Sequence, residues 1–159
     1  MITAVDSNIL YDVLGDDPEF AVSSQNFLQQ QSQLGGLVIS PLVYTELLVS
    51  FVKKQERNTA ITKLKEFLSD LGIQVLSFSD EDYNVAAEAW GKFSKKEAVE
   101  CPRCGVANIF SCIKCKKQVL WRNHILTDFL IGAHAQNNAD CLLTRDRGYY
   151  KKYFTIRIV

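Results

Sequence analysis

The sequence lacks three features that would place it in a specialised class of protein. Its 18 basic and 18 acidic side chains cancel, which argues against a strongly basic coat protein but leaves a nuclease open, because clustered carboxylates can offset a basic face elsewhere. No run approaches the roughly 20 apolar residues that span a bilayer. The opening residues Met1–Asp6 do not combine a basic segment with an apolar core and a cleavage site, so we expect a cytoplasmic protein without a signal peptide or a membrane partner.

Cysteine is scarce, and four of the five cysteines fall in one short segment. Cytoplasmic thiols stay reduced, so paired cysteines indicate a metal site rather than disulfides. The chain has 159 residues, 47% of them hydrophobic, which suits one globular domain with a single core. We therefore predict one domain over residues 1–159, interrupted by a cysteine-bearing insert at 98–122.

Apolar runs alternate with helical patterns through the rest of the chain. The predicted strands are Ile2–Val5, Leu37–Ile39, Ile73–Leu76, Cys141–Thr144 and Thr155–Ile158. Among the predicted helices, the second has Pro18 in its first turn, the fifth is capped by Ser79, and the sixth runs from about Ile125 to Asn137. Strands that alternate with helices predict an α/β fold whose parallel sheet is covered by helices on both faces.

Four carboxylates lie near the predicted strand ends, where functional groups gather in a parallel sheet. Asp6 follows the first strand and Asp146 follows the fourth, whereas Glu46 and Asp128 lie one turn into helices. If the first and fourth strands are neighbours, all four acids converge. Each acid alone also suits a turn or a helix cap.

A converged carboxylate cluster needs a cation, because the negative charges repel one another. Oxygen ligands of this kind suit Mg²⁺ or Mn²⁺. Two such ions about 4 Å apart would clamp the attacking and leaving oxygens of a phosphodiester displacement, without a side-chain nucleophile.

The acids occur within four segments that resemble, in the same order, the motifs of the PIN-domain ribonuclease family in its VapC-like toxin type. The segments are Val5–Leu10, Val43–Leu48, Thr127–Ala135 and Leu142–Tyr150. The resemblance spans nearly the whole chain outside the insert, and the ordered set of four is more specific than any single motif.

The resemblance implies a three-layer α/β sandwich with a five-stranded parallel sheet, and cleavage of RNA that depends on Mg²⁺ or Mn²⁺. It makes the four acids catalytic metal ligands at Asp6, Glu46, Asp128 and Asp146. Asn8 and Thr144 match polar positions that support the site through hydrogen bonds.

Partners also follow from the resemblance. Small PIN proteins often act as the toxin of a toxin–antitoxin pair, so we expect an RNA substrate and an antitoxin protein, with a homodimer as a further possibility. The antitoxin would insert an apolar helix near the active site, over helices around Leu42–Val52 and Ile61–Leu71.

Other functions stay open at this point. A stand-alone nuclease of RNA or rRNA maturation shares the same site, as does a metal-dependent phosphatase or a 5′-nuclease acting on DNA. A non-catalytic RNA- or protein-binding PIN-like module is a further alternative. The presence of all four acids favours an enzyme over such a module.

The insert carries two CxxC pairs separated by seven residues, formed by Cys101, Cys104, Cys112 and Cys115. Two such pairs predict a zinc knuckle or ribbon with a tetrahedral Zn²⁺. Four thiolates leave no open coordination position, so this zinc would be structural. A redox pair or unbound surface thiols are the alternatives, although a redox CxxC normally begins a helix.

The insert is also basic. Between Cys101 and Arg122 it has no acidic residue and five basic ones, namely Arg103, Lys114, Lys116, Lys117 and Arg122. A zinc tetrathiolate contributes about −2, which leaves an excess near +3. This lobe would bind substrate phosphates, serve as a docking surface for a protein, or form an ordinary solvated surface. Arg145 and Arg147, beside the last acid, are further candidates for phosphate contacts.

Overall fold

A computed structural model describes residues 1–94, 99–100, 106–119 and 125–159 of the chain. In these ranges the chain forms seven helices and nine strands. Their order is β1 (Ile2–Val5), α1 (Ser7–Leu14), α2 (Ala21–Leu34), β2 (Gly36–Ile39), α3 (Pro41–Val52), α4 (Arg57–Asp70), β3 (Ile73–Val75), α5 (Asp80–Ser94), β4 (Val99–Glu100), β5 (Ala107–Asn108), β6 (Phe110–Ser111), β7 (Gln118–Val119), α6 (Leu126–Asn138), β8 (Cys141–Leu143), α7 (Arg147–Tyr153) and β9 (Arg157–Ile158).

The main sheet has five parallel strands in the order β3-β2-β1-β8-β9. This confirms the predicted α/β fold and its five-stranded parallel sheet. Consecutive residues of β1, from Thr3 to Val5, are all buried, as are Leu37–Ile39 in β2 and Cys141–Leu143 in β8. Side chains alternate between the faces of a strand, so unbroken burial means that both faces of the sheet are covered.

The helix before β8 is anchored by one aromatic side chain. Phe129 on α6 is fully buried, and its ring lies against five others, those of Trp90, Phe93, Tyr149, Tyr153 and Phe154. Such ring pairs contribute more than their buried area alone. Because Asp128 precedes Phe129 in the chain, this packing also fixes the position of the Asp128 backbone.

The second helix begins later than predicted. The regular helix starts at Ala21, although the carboxylate of Asp17 accepts hydrogen bonds from the N–H groups of Glu19 and Phe20, each at 2.9 Å. Asp17 thus caps a tighter first turn that contains Pro18, and the helix becomes regular only after it.

The region after β8 also differs from the sequence interpretation. Strand β8 ends at Leu143 and β9 is confined to Arg157–Ile158, with a short helix, α7, between them. The carboxylate of Asp146 accepts the N–H of Tyr149 at 3.3 Å and so caps this helix. The aromatic residues Tyr149, Tyr150 and Phe154 that follow are buried in the core.

Within the predicted insert, the described residues form two small antiparallel pairs, β4 with β5 and β6 with β7. Cys101 and Cys104 lie outside the described residues. No helix in the described ranges is both long enough and apolar enough to cross a bilayer.

Candidate active site

The site lies where the direction of strand order reverses, between β1 and β8. Strand β1 is flanked by β2 and β8, with Val5 in register with Leu143. The N–H of Asp6 donates to the carbonyl of Leu143 at 3.0 Å, so Asp6 extends the pairing to the carboxyl edge of the sheet. Open parallel sheets bind ligands at this kind of switch point.

Asp6 is buried, and both of its carboxylate oxygens accept hydrogen bonds. Oδ1 accepts the N–H of Ser7 at 2.7 Å, as the cap of α1. Oδ2 accepts from the Asn8 amide at 2.8 Å and from the Thr144 hydroxyl at 2.7 Å. The side chain is therefore fixed by three donors, which leaves it oriented without the help of a ligand.

Thr144 links three of the predicted site residues. Its buried hydroxyl donates to Asp6 and accepts hydrogen bonds from the Asn8 amide at 3.1 Å and from the N–H of Asp146 at 3.0 Å. The supporting roles predicted for Asn8 and Thr144 thus have a geometric basis in their contacts with Asp6.

The charges of the acids act on one another. Burial raises the pKa of Asp6 to about 6, against the hydrogen bonds from Thr144 and Ser7, and the charges of Glu46 and Asp128 raise it further. Burial also raises the pKa of half-buried Glu46, opposed by a hydrogen bond from the Ser7 side chain and reinforced by Asp128. These three carboxylates therefore share one electrostatic environment.

Asp128 and Asp146 each sit at the start of a helix. Asp128 accepts the N–H of Ile125 at 2.8 Å, at the first turn of α6. Burial and then the charges of Asp128, Asp146 and Asp6 raise the pKa of Tyr149 on α7. Both acids thus act as helix caps, and their negative charges act on the Tyr149 hydroxyl together with that of Asp6.

The donor set fits an oxygen-preferring divalent cation such as Mg²⁺ or Mn²⁺ better than a softer metal that prefers nitrogen or sulfur ligands. The oxygens that would bind it belong to carboxylates, and burial, together with the charges of Glu46 and Asp128, raises the pKa of Asp6. Among the described residues, no group of three or more His, Cys, Asp or Glu side chains is already gathered as a ligand shell. Mg²⁺ does not need a complete shell of protein ligands, because it keeps several waters and is bound through one or two carboxylates.

Two residues at this site were missed by the sequence interpretation. The side chain of Ser7 acts to lower the pKa of Glu46, and Asp12 forms a 2.8 Å ion pair with Arg145. The available signal for Asp12 was its place four residues after Asn8, which puts both on one face of α1. Arg145 thus already has an acidic partner, and its predicted contact with phosphate stays a prediction; Arg147 begins α7.

The described half of the cysteine insert contains a tight turn that carries Cys112 and Cys115. Between β6 and β7, the N–H of Cys112 donates to Lys117 O and the N–H of Lys116 donates to Cys112 O, both at 2.8 Å. Lys116 has a left-handed φ of 60°. Hydrogen bonds from the backbone N–H groups of Cys115 and Lys114 lower the pKa of the Cys112 thiol. This favours the thiolate that a metal requires, and zinc binding stays a prediction.

The three predicted lysines of this lobe are solvent-facing, whereas Arg103 and Arg122 lie outside the described residues. Lys114, Lys116 and Lys117 are all exposed. Cys141, by contrast, is fully buried in β8, as expected for a core residue. His134 is buried too, with its Nε2 3.0 Å from Leu76 O, which agrees with a packed rather than a catalytic histidine.

Comparison with known proteins adds a sequence match and several structural ones. The sequence profile described as "PIN domain" matches residues 3–155. No curated protein sequence matches the chain significantly.

The similar solved structures include VapBC complexes and one described as a toxin–antitoxin complex from Klebsiella pneumoniae. VapBC2 from Rickettsia felis, bound to a DNA fragment from its promoter, has a TM-score of 0.67 and 21% identity, and the match covers 100% of this chain and 98% of that one. VapBC-1 from nontypeable Haemophilus influenzae has a TM-score of 0.65 and 17% identity, and the match covers 100% of this chain and 97% of that one. DNA-bound VapBC from Salmonella typhimurium has a TM-score of 0.63 and 15% identity, and the match covers 100% of this chain and 97% of that one. At these identities the similarity establishes the fold.

Proposed function

This chain belongs to the PIN domain family, and from that premise we propose that it is a Mg²⁺- or Mn²⁺-dependent endoribonuclease that acts as the toxin of a toxin–antitoxin pair. The observation that carries the proposal is the environment of Asp6. Its buried carboxylate is held by Ser7, Asn8 and Thr144, beside the charges of Glu46 and Asp128. A fixed, buried carboxylate whose pKa responds to two neighbouring acids is suited to bind a cation together with them.

Asp6, Glu46, Asp128 and Asp146 would hold the metal. When bound, the metal supplies an activated water and offsets the charge that develops on the phosphate. The protein's own contribution is orientation. Asn8 and Thr144 fix the direction of the Asp6 oxygens, and Ser7 favours the ionised form of Glu46 by lowering its pKa. Correct placement of this kind is worth several orders of magnitude in rate.

Cleavage of a labelled RNA panel, with and without Mn²⁺, tests the enzyme directly. The wild-type chain is compared with Asp6→Asn, which keeps the side-chain shape but removes a charge, and with Asp70→Asn, an exposed acid at the end of α4. We expect cleavage that requires Mn²⁺, is lost in Asp6→Asn and is unchanged in Asp70→Asn. Binding of RNA to the same extent in EDTA and Mn²⁺, without cleavage, would favour a binding module.

The antitoxin part of the proposal is supported by a groove beside the site. It measures about 430 Å³ and lies between α1, α3 and the start of α4, with Tyr11, Leu14 and Phe51 in its lining and Lys54 and Lys63 also bordering it. The hydroxyl of Tyr11 donates to the carbonyl of Glu46, so the groove adjoins the acidic site. An apolar helix from an antitoxin would fit this place and approach the acids.

A growth assay separates a toxin from a stand-alone RNA-processing nuclease. We expect expression of the wild-type chain alone to arrest growth of a bacterial host, and Asp6→Asn to be harmless. Co-expression of the protein encoded beside the gene should restore growth, and Phe51→Glu, within the groove, should abolish that rescue without loss of RNA cleavage. Normal growth with active, uninhibited enzyme would instead favour RNA maturation.

The insert extends the proposal to substrate binding. Lys114, Lys116 and Lys117 are exposed on the β6–β7 hairpin, and residues 106–119 contain no acid. Such a surface favours contacts with RNA phosphates. We expect neutralisation of the three lysines to raise KM for RNA and to reduce its dependence on salt, with little change in kcat.

A further inference from the structure

Arg145 connects the loop after β8 to helix α1 through its side chain. Its Nη2 lies 2.8 Å from Oδ1 of Asp12, and its Cζ lies 4.3 Å from the centre of the Phe20 ring. Asp12 is only 2% exposed, and its other oxygen accepts a 2.6 Å hydrogen bond from Ser24. A buried carboxylate without a partner of opposite charge costs free energy, so breaking this ion pair would destabilise the fold.

The backbone of the same residue is also held by α1. The N–H of Arg145 donates to Oδ1 of Asn8 at 3.4 Å. Asn8 and Asp12 are four residues apart, so they face the same side of α1. One face of this helix therefore holds both the backbone and the guanidinium of residue 145.

Position 145 lies between two residues of the acidic site. Thr144 on one side donates to Asp6, and Asp146 on the other carries the last acid, with its N–H bonded to the Thr144 hydroxyl. A rotation of the loop about residue 145 would move both. The attachment at Asp12 opposes such a rotation from outside the acidic cluster.

We infer that Arg145 and Asp12 are positioning residues, which hold the Thr144–Asp146 loop so that Asp146 and Asp6 share one geometry for the cation. The inference rests on the proposed nuclease function and deepens it. It assigns the Arg145 guanidinium to an intramolecular contact, although 41% of that side chain is exposed. A direct contact between Arg145 and an RNA phosphate is the competing role.

The test compares Arg145→Ala, Asp12→Asn and the double variant with wild type, and measures kcat and KM on an RNA that the wild type cleaves. Asp12→Asn keeps the acceptor for Ser24 but removes the charge that pairs with Arg145. Arg157→Ala is the matched control, because that arginine lies on edge strand β9 with its guanidinium 3.1 Å from the Met1 sulfur. All assays are run well below the melting temperature of the least stable variant.

We expect each single variant to lower kcat about tenfold to 100-fold, with KM changed by less than about threefold, because sub-ångström misplacement acts on the reacting geometry. The double variant should be no slower than the slower single one, since both remove the same interaction. Arg145→Lys should remain impaired because an ammonium does not reproduce the planar contact with Phe20 and Asp12.

Two outcomes would overturn the inference. If Arg145→Ala raises KM and Asp12→Asn changes neither constant, the arginine binds substrate. If both variants lower only the melting temperature, the ion pair is a structural tie without influence on the site.

Binding of Mn²⁺, followed by electron paramagnetic resonance, separates this inference from the nuclease proposal. If the wild type cleaves no RNA but binds Mn²⁺, the proposed reaction fails and the inference is still tested. Weaker Mn²⁺ binding in Asp12→Asn and Arg145→Ala, but not in Arg157→Ala, supports it. Equal binding in all variants, or no Mn²⁺ binding by the wild type, contradicts it.

Discussion

The hydroxyl of Thr144 donates a 2.7 Å hydrogen bond to Oδ2 of Asp6, across 138 positions of the chain. This bond joins the ends of β1 and β8 at the point where strand order reverses. It also opposes the effect of burial on the pKa of Asp6. The same contact therefore contributes to the fold and to the ionisation of the candidate metal ligand.

Thr144→Val should weaken both functions of this bond. Valine keeps the shape, but Asp6, the Asn8 amide and the N–H of Asp146 each lose a partner in a buried place. We expect a loss of about 1–3 kcal/mol in the free energy of unfolding, and a further rise in the pKa of Asp6. Urea denaturation and the pH profile of cleavage measure the two effects.

Thr144→Ser is the matched control for that substitution. It restores the hydroxyl and lacks only a methyl group, so it should recover the wild-type pH profile with a stability cost of about 1 kcal/mol. A pH profile that shifts equally in the serine and valine variants would argue against the hydrogen bond as the cause.

The raised pKa of Asp6 predicts how stability depends on pH in the absence of metal. Its pKa is about 6 in the folded chain, against a reference of 3.8, so the folded chain binds the proton more tightly than the unfolded chain. The stabilisation by this proton is fully present below about pH 3.8 and is lost as pH rises through about 6. By linkage the loss is about 3 kcal/mol, and Asp6→Asn should remove it.

Denaturation in EDTA at several pH values between 4 and 8 measures this slope. Mn²⁺ binds the ionised carboxylate, so it should raise the melting temperature more at pH 7.5 than at pH 5. A wild-type slope that matches Asp6→Asn throughout the window would show that Asp6 titrates near its ordinary value.

The parts of the site that could be read from the sequence are those encoded locally. Asp6 follows an apolar run that forms β1, and the Ser79 cap predicted for α5 is present, with Ser79 Oγ accepting the N–H of Asp82 at 3.3 Å. In each case the signal lies within a few residues, so a single sequence is enough.

The ion pair between Arg145 and Asp12 was beyond such reasoning. Its members are 133 positions apart, and its surroundings come from a third segment, where Ser24 donates to Asp12 and the Phe20 ring lies under the Arg145 guanidinium. Helix α7 was missed for a related reason. It has seven residues, too few to show a helical period, and it depends on the cap from Asp146 and on aromatic packing.

Two glycines offer a paired test of how tightly α6 is packed. A Cβ on Gly132 would lie 2.3 Å from the Phe154 ring, whereas a Cβ on Gly91 of α5 would meet nothing within 4 Å among the described residues. We expect Gly132→Ala to cost about 1–3 kcal/mol through overpacking. Gly91→Ala should be neutral or stabilise by up to about 1 kcal/mol through helix propensity.

Thermal unfolding and Mn²⁺ binding distinguish the consequences. Since α6 carries Asp128 at its first turn, Gly132→Ala should also weaken Mn²⁺ binding, and Gly91→Ala should not. Equal stability of the two variants would mean that Phe154 moves aside at little cost.

The cysteine insert predicts one zinc ion per chain, in addition to the ions of the acidic site. Cys112→Ser should abolish zinc binding, because the loss of one of the four thiolates leaves the tetrahedral site incomplete. Cys141→Ser, in the buried strand β8 beside Thr3, should leave it unchanged. Elemental analysis of protein purified without chelators measures the zinc content directly. Wild-type protein that contains no zinc, and whose melting temperature does not change when zinc is added, would contradict the prediction.

The two classes of metal can then be separated by ligand preference. Mn²⁺ favours carboxylates over thiolates, so adding Mn²⁺ alone after EDTA should refill the acidic site without refilling the insert. We expect kcat to recover while KM for RNA stays raised, because the lysines of the β6–β7 hairpin would lose their fixed arrangement. Full recovery of both constants with Mn²⁺ alone would mean that the insert does not contribute to substrate binding, and would favour its use as a surface for a protein partner.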